Sequence, residues 1–377
     1  VNSDLENICS NKIFELIFSI FNSNNQDLLE IGLKKLISFI KSVESKNIKD
    51  GWPIIITLIK NVWINPIQHN IQNGFSLLEL ICNDYLSYLK KSDYDICFST
   101  ISSFISQTFD ISLPIKSLLL ILKFASNLQI EDEETWIKLF KTIQNHLYDK
   151  RKEVIQKTIE IIFEIIEKYH DMFNQGTSDF LINNILHNII QINISELYIL
   201  IIKGITKSLT LIKQYDKRII YELVELIKSI SEKNDEYSSE GIKCYIPLFF
   251  FDDPDFLNQI TKSFQITVTK YVNNPLTFDL QSACFVIKEV FPKIILYSSE
   301  SETELWLNIF ELFISLGSQY NEIIFSLLEI FQNTSQLTDV QYLLIAKHLT
   351  NNLNTKENSF LITKILDIFI SLFQSFN

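Results

Sequence analysis

Residues 132–169 run DEETWIKLFKTIQNHLYDKRKEVIQKTIEIIFEIIEKY, and the placement of their apolar side chains decides the fold. In the first part Trp136, Leu139, Phe140, Ile143 and Leu147 recur at three- and four-residue intervals, with Lys138, Lys141, Gln144 and Asn145 opposite. That is the stripe of an amphipathic helix facing one neighbour. From Lys150 to Tyr169 the pattern changes: Glu153, Lys157, Glu160, Glu164 and Lys168 form one narrow polar face. Val154, Ile155, Ile159, Ile161, Ile162, Phe163, Ile165 and Ile166 cover the rest. A helix that is apolar around most of its circumference must be packed on several sides, so this pair of helices needs further helices beside it.

The same alternation extends in both directions. Apolar spacing predicts helices over 4–22, 26–43, 51–63, 67–90, 93–108, 112–127, 133–147, 150–169, 178–192, 195–213, 216–231, 237–250, 254–272, 278–297, 302–317, 319–333, 336–350 and 357–375. Turn-forming residues separate them, for example Asn24-Asn25, Asn65-Pro66, Asn174-Gln175-Gly176, Asp252-Asp253-Pro254 and Asn273-Asn274-Pro275. Taken in pairs, the helices repeat at roughly 40 residues, the spacing of HEAT and armadillo repeats. Because one pair cannot bury its own apolar face, neighbours must stack into a continuous core. The expected fold is all-α, a right-handed HEAT/armadillo-like α-solenoid of about nine helix pairs, forming one continuous array over residues 1–377. A compact bundle would need fewer and longer helices.

Composition agrees with this reading. Gly and Pro number seven each in 377 residues, about a third of ordinary usage, which leaves little material for sheet turns or phosphate-cradling loops. The hydrophobic share of 47% excludes a disordered chain. The chain carries a net charge of -12, and its 33 basic residues include only two arginines, Arg151 and Arg218. Nucleic acid as a partner requires a concentrated basic surface, and the tightest basic cluster is Lys150-Arg151-Lys152. No apolar run approaches the length of a membrane span. Cys9, Cys82, Cys97, Cys244 and Cys284 are scattered without a CxxC motif, a pattern of buried free thiols. The first residue is Val1 and the one methionine is Met172, so the sequence is expected to be a segment of a longer protein.

Motifs for catalysis are missing. His69, His146, His170, His187 and His348 show no metal-ligand spacing, and GxSxG, GxGxxG and GxxxxGK[ST] do not occur. The acidic runs Glu131 to Glu134 and Ser299 to Glu304 each precede an expected helix, where negative charge favours the helix dipole. No catalytic residue, cofactor or metal is expected. Peptide-reading armadillo importins place Asn one turn after Trp; here the residues four after Trp52, Trp63, Trp136 and Trp306 are Ile56, Ile67, Phe140 and Phe310. The tryptophans therefore read as core anchors.

One junction suggests a family. Gly51-Trp52-Pro53-Ile54-Ile55-Ile56 resembles the "HGWP" junction of the Mon-two family of Golgi and endosomal scaffolds, which are related to the large Sec-seven Arf exchange factors. Asp110-Ile111-Ser112-Leu113 followed by Ser117-Leu118-Leu119-Leu120 resembles that family's "NISL" helix, and Trp136-Ile137-Lys138-Leu139-Phe140 its "W" helix. Asp149-Lys150-Arg151-Lys152-Glu153-Val154 resembles its "D-x-R-x-x-V-R" junction, with Ile155 where the family has the final Arg. The similarity runs from about residue 25 to 190 and is weaker over 193–377. The resemblance implies a non-enzymatic scaffold for endosome-to-Golgi traffic, cytoplasmic and peripheral on those membranes. It also implies a Dopey-like protein and an Arf-like GTPase as partners. Gly51, Trp52, Pro53, Trp136, Asp149 and Arg151 are its structural junction residues, with Trp52 and Trp136 as anchors, Asp149 and Arg151 as an inter-repeat tie, and Asp149 as a cap for the helix after it. Two alternatives stand beside it: a regulatory region of a large Arf exchange factor, and a nuclear transport receptor of the importin-beta or exportin type.

Overall fold

A computed structural model describes residues 26–42, 48, 51–63, 66–108, 110–130, 132–212, 216–231, 238–249, 254–272, 279–294 and 306–308, with the single positions Ser19, Thr363, Leu366, Asp367 and Ile370. Every regular element among the described residues is helical. In chain order these are α1 (Gln26–Ser42), α2 (Trp52–Asn61), α3 (Gln68–Leu80), α4 (Tyr94–Ile105), α5 (Ser112–Ala125), α6 (Glu133–Gln144), α7 (Lys152–Tyr169) and α8 (Gln175–Phe180). There follow α9 (His187–Ile190), α10 (Tyr198–Ile212), α11 (Lys217–Ser231), α12 (Ser238–Lys243), α13 (Tyr245–Leu248), α14 (Pro254–Val272) and α15 (Asp279–Ile294). The helix expected at 4–22 and those expected beyond 300 lie outside the described residues apart from the positions named above.

Three departures from regular helix are local. The expected helix 67–90 leaves α-geometry after α3: Ile81–Tyr85 is π-helical and Leu86–Tyr88 a 3₁₀ turn. The wider turn keeps Ile81, Cys82 and then Leu86 on the buried side. A second π-helical stretch, Leu181–Leu186, joins α8 to α9. The expected helix 237–250 is broken between α12 and α13. Pro247 has no N–H to donate and its ring crowds the carbonyl of the residue four before it, Lys243, which is where α12 ends.

The chain divides into two compact units, Val1–Ile192 with Leu211–Asp216, and Asn193–Thr210 with Lys217–Asn377. In the first, α1 packs on α3, the π-helical end of α3 on α5, and α5 on α7. A second row runs α2, α4, α6, α8, each helix packing on the next. Chain neighbours cross-link the rows: α2 with α3, α4 with α5, α5 with α6, and α6 with α7. Contacts with the helix two further on and between these chain neighbours together give the stacking of a helical-repeat solenoid.

Burial follows the sequence stripes. On α6, Trp136, Leu139, Phe140 and Ile143 are buried, while α7 buries Val154, Ile155, Thr158, Ile159, Ile161, Ile162, Ile165 and Ile166 between α5 and α6. In the second unit α11 packs on α12 and α14, and α15 on α12, α13 and α14. Tyr245, Phe249, Phe264 and Trp306 form its aromatic centre, with ring centroids 5.3–6.5 Å apart. The Tyr245 hydroxyl lies 2.9 Å from Ser263 Oγ and 3.2 Å from Thr267 Oγ1.

Trp136 of α6 meets three aromatic rings in the first unit. Its ring is fully buried against Phe140, Tyr169 and Phe173, and its Nε1 donates to the Gln129 carbonyl at 3.0 Å. Trp136→Ala is expected to cost about 3–5 kcal/mol through lost burial and an unfilled cavity, measured as a lowered midpoint in urea unfolding of the whole chain.

Candidate functional site

On α4 the residues Asp95, Ser99, Ser102 and Ser106 return every three or four positions and therefore share one face. Because serine side chains are short, α4 and α6 leave an open groove of about 800 Å³ between them. Trp63 lies at one side, Gln107 at the end of α4, and Lys138, Lys141, Thr142 and Asn145 along α6. Trp63 is half-buried, in edge contact with Phe104 at 5.1 Å. It is thus the one tryptophan of four that is not wholly a core anchor: Trp52, Trp136 and Trp306 are fully buried.

Side-chain links cross this row at one-repeat separations. Lys60 Nζ on α2 donates to Ser99 Oγ on α4 at 2.6 Å. Lys138 Nζ on α6 meets Asp95 Oδ2 on α4 at 2.9 Å, and Ser102 Oγ lies 3.0 Å from His146 Nε2. Asn174, ahead of α8, donates through Nδ2 to Glu133 Oε2 at 2.6 Å while its own Oδ1 accepts from the Thr177 N–H at 2.9 Å. The Glu133 carboxylate sits against the backbone of Gly176, where a Cβ would lie only 2.0 Å from Oε1. Lys91 Nζ pairs with the buried Asp132 carboxylate. Burial raises that carboxyl, but the Lys91 ammonium and the Gln129 N–H outweigh it and hold it below the usual range. Thus three acids of the run before α6 become contacts within and between repeats: Asp132, Glu133 and, through its ion pair with Lys138 at 2.9 Å, Glu134.

Of the six junction residues Trp136 lies on α6, and the other five occupy two places. Gly51 precedes α2 with φ -75° and donates its N–H to the Ile48 carbonyl at 2.8 Å; Pro53 stands in the first turn and Trp52 is fully buried beside Tyr85 at 5.5 Å. Asp149 and Arg151 lie between α6 and α7. Arg151 Nε and Nη2 donate to Asp149 Oδ1 and Oδ2 at 2.9 and 2.8 Å, Nη2 donates to the Ile105 carbonyl at 2.8 Å, and Nη1 to the Gln107 carbonyl. The guanidinium therefore reaches back one repeat to carbonyls at the end of α4, which the helix itself leaves without partners. Asp149 does not cap α7: Arg151 holds the cap position, and Asp149 Oδ1 accepts the Arg151 N–H at 2.9 Å. Its carboxyl is held below the usual range, chiefly by the guanidinium.

Ser102 and His146 bear comparison with a nucleophile and base. His146 is 4% exposed, and burial pushes its pKa down to about 4, Asp149 raising it and Arg151 lowering it less. Among the described residues no carboxylate is hydrogen-bonded to its Nδ1, and Ser102 lies mid-helix, where backbone N–H groups are committed to helical bonds rather than to an oxyanion. The contact ties α4 to the turn after α6 and lacks the parts of a hydrolase. Among the described residues there is no cluster of His, Cys, Asp or Glu able to hold a metal ion, and no helix long and apolar enough to cross a membrane. Cys82, Cys97 and Cys244 are buried free thiols, and burial pushes the Cys244 thiol up to about 12. Cys9 and the Cys284 side chain lie outside the description.

The sequence did not disclose Lys60, Trp63, Ser99, Ser102 or Phe180 as neighbours across one row. Their signal was present only as polar positions recurring at helical spacing along α4.

No protein-family model matches the chain, and no curated protein matches it. Solved structures similar to it include a crystal structure of an engineered protein, at 12% identity and TM-score 0.41 over 95% of this chain and 88% of that one. Importin beta, crystallised in a polyethylene glycol condition, aligns at 10% identity and TM-score 0.46 over 97% of this chain and 53% of its own. A circular tandem repeat protein with a novel repeat topology aligns at 12% identity and TM-score 0.28 over 99% of both.

Two measurements check this site. Arg151→Ala removes four hydrogen bonds from one partly buried guanidinium to Asp149, Ile105 and Gln107 and is expected to lower stability by about 2–3 kcal/mol, read by urea unfolding. His146 has a folded pKa of about 4 against 6.5 unfolded, so between those values the unfolded chain binds the extra proton. Stability should therefore rise with pH across that window, by about 3 kcal/mol, and His146→Gln should flatten the rise in a pH series of the same measurement.

Proposed function

We propose that the chain is a non-enzymatic scaffold that binds partner proteins along its helical-repeat surface, acting in endosome-to-Golgi vesicle traffic and protein transport. The observation that carries the binding role is the row α2, α4, α6, α8, which presents an open polar groove between α4 and α6. Extended repeat surfaces of this kind suit long, shallow protein contacts. The trafficking role rests on the resemblance to the Mon-two family. Under that reading Gly51, Trp52, Pro53, Trp136, Asp149 and Arg151 act as junction residues of the array. A Dopey-like protein and an Arf-like GTPase are the partners, and the protein sits in the cytoplasm, held peripherally on Golgi and endosome membranes. With a net charge of -12, attachment through proteins is favoured over direct adsorption to anionic lipid.

The test is direct binding of the purified chain to three immobilised candidates: a Dopey-like protein, a GTP-loaded Arf-like GTPase and GTP-loaded Ran. Saturable binding to either of the first two is expected. Binding to Ran alone favours a nuclear transport receptor and overturns the trafficking role, and binding to none of the three overturns it as well.

A further inference from the structure

The contacts of the second row set its register. Lys60 of α2 meets Ser99 of α4. Asp95 and Ser102, on either side of Ser99, meet Lys138 and His146, which places Ser99 level with Lys141 and Thr142 of α6. Lys141 Nζ in turn lies over the Phe180 ring of α8, 5.6 Å from its centroid. Lys60, Ser99, Lys141 and Phe180 thus form a transverse line, one residue per helix, running across the helices rather than along them.

The charges on this line are unbalanced. Lys138 is engaged by both Asp95 and Glu134. Lys60 and Lys141 are exposed, and among the described residues neither meets a carboxylate: one donates to a hydroxyl, the other faces an aromatic ring. With Lys138 outnumbered by Asp95 and Glu134, these five groups sum to a charge of about +1 in a chain of net charge -12, and Lys60 and Lys141 are the positions on this face complementary to acid. Packed helices stand about 8–10 Å apart, so Lys60 and Lys141, two helix spacings apart, are separated by about 16–20 Å. An extended chain spans that in about five or six residues.

We propose that this line holds an extended acidic segment of a partner protein, laid across α2, α4 and α6, with two carboxylates about five or six residues apart. One carboxylate pairs with Lys60 and the other with Lys141. Between them the Ser99, Ser102 and Ser103 hydroxyls, partly exposed and already meeting Lys60, His146 and the Ser99 carbonyl, keep oxygen lone pairs that can accept peptide N–H groups, and the short side chains leave the peptide room to lie close. A helical ligand would instead run along the groove and could not reach both lysines. Nucleic acid, repelled by the net charge of the chain, is disfavoured. The proposal deepens the scaffold reading and rests on it for the existence of a protein partner.

The test is selection from a phage-displayed library of linear twelve-residue peptides on the whole chain, followed by fluorescence anisotropy with the enriched peptides. Enrichment of paired Asp or Glu at the stated separation is expected, with binding weakened about tenfold by Lys60→Glu or Lys141→Glu. Lys123→Glu, at an exposed position of α5 in the other row, should leave affinity unchanged, and thermal melts of all three variants confirm folding. No enrichment, enrichment of neutral or basic peptides, indifference to both lysines, or equally tight binding of a single-stranded oligonucleotide would each overturn the proposal. A partner protein that binds wild type and the Lys60→Glu, Lys141→Glu double variant alike would sink this line as its site while leaving the scaffold reading intact.

Discussion

A helix buried on more than one side cannot be stable in a pair, and α7 is such a helix. Eight of its side chains, seven of them isoleucine or valine, are removed from solvent between α5 and α6. At about 1.5–3 kcal/mol for each large aliphatic side chain buried, this is a driving force that only a stack can satisfy. The rest of the first unit follows from it. Helices pack on the helix two further on and are cross-linked between chain neighbours, so two rows form with the apolar core between them.

Apolar packing sets the distance between helices but tolerates sliding of one against the next. Polar links remove that freedom. Arg151 reaches the carbonyls of Ile105 and Gln107, Lys91 the carboxylate of Asp132, Asn174 that of Glu133, and Lys60 the hydroxyl of Ser99. Each joins positions about one repeat apart, and several use backbone groups or acids at helix ends that would otherwise be left without partners. The same device therefore satisfies buried polar groups and holds the register that aligns Lys60, Ser99, Lys141 and Phe180 across the second row.

Much of the fold was legible from residue spacing. The stripes on α6 and α7 specified which faces are buried, and Gly, Pro and Asn marked most helix ends. The misreadings are local. Pro247 breaks the helix 237–250 because it removes a backbone donor, a conflict visible in the sequence but overridden there by the apolar run around it. The π-helical turn at Ile81–Tyr85 carries no Gly or Pro to announce it. Its position before α7 makes Asp149 a candidate helix cap, yet its carboxylate is taken by Arg151, whose other bonds extend to a helix more than forty residues earlier. The acidic run at the start of α6 suits the helix dipole, and contacts with Lys91, Asn174 and Lys138 account for it more fully.

The sequence by itself determined the all-α class, the repeat of roughly 40 residues and the division of each helix into buried and exposed faces. These are consequences of side-chain period along one chain, and period is a local property. Tertiary structure alone decided which polar residue meets which across the stack, and so where the groove lies and which lysines stand without an acid. A helix face lists the residues that reach solvent, but the partner of each depends on how far neighbouring helices are offset. That offset is set by close packing of the shared core, which no single helix encodes.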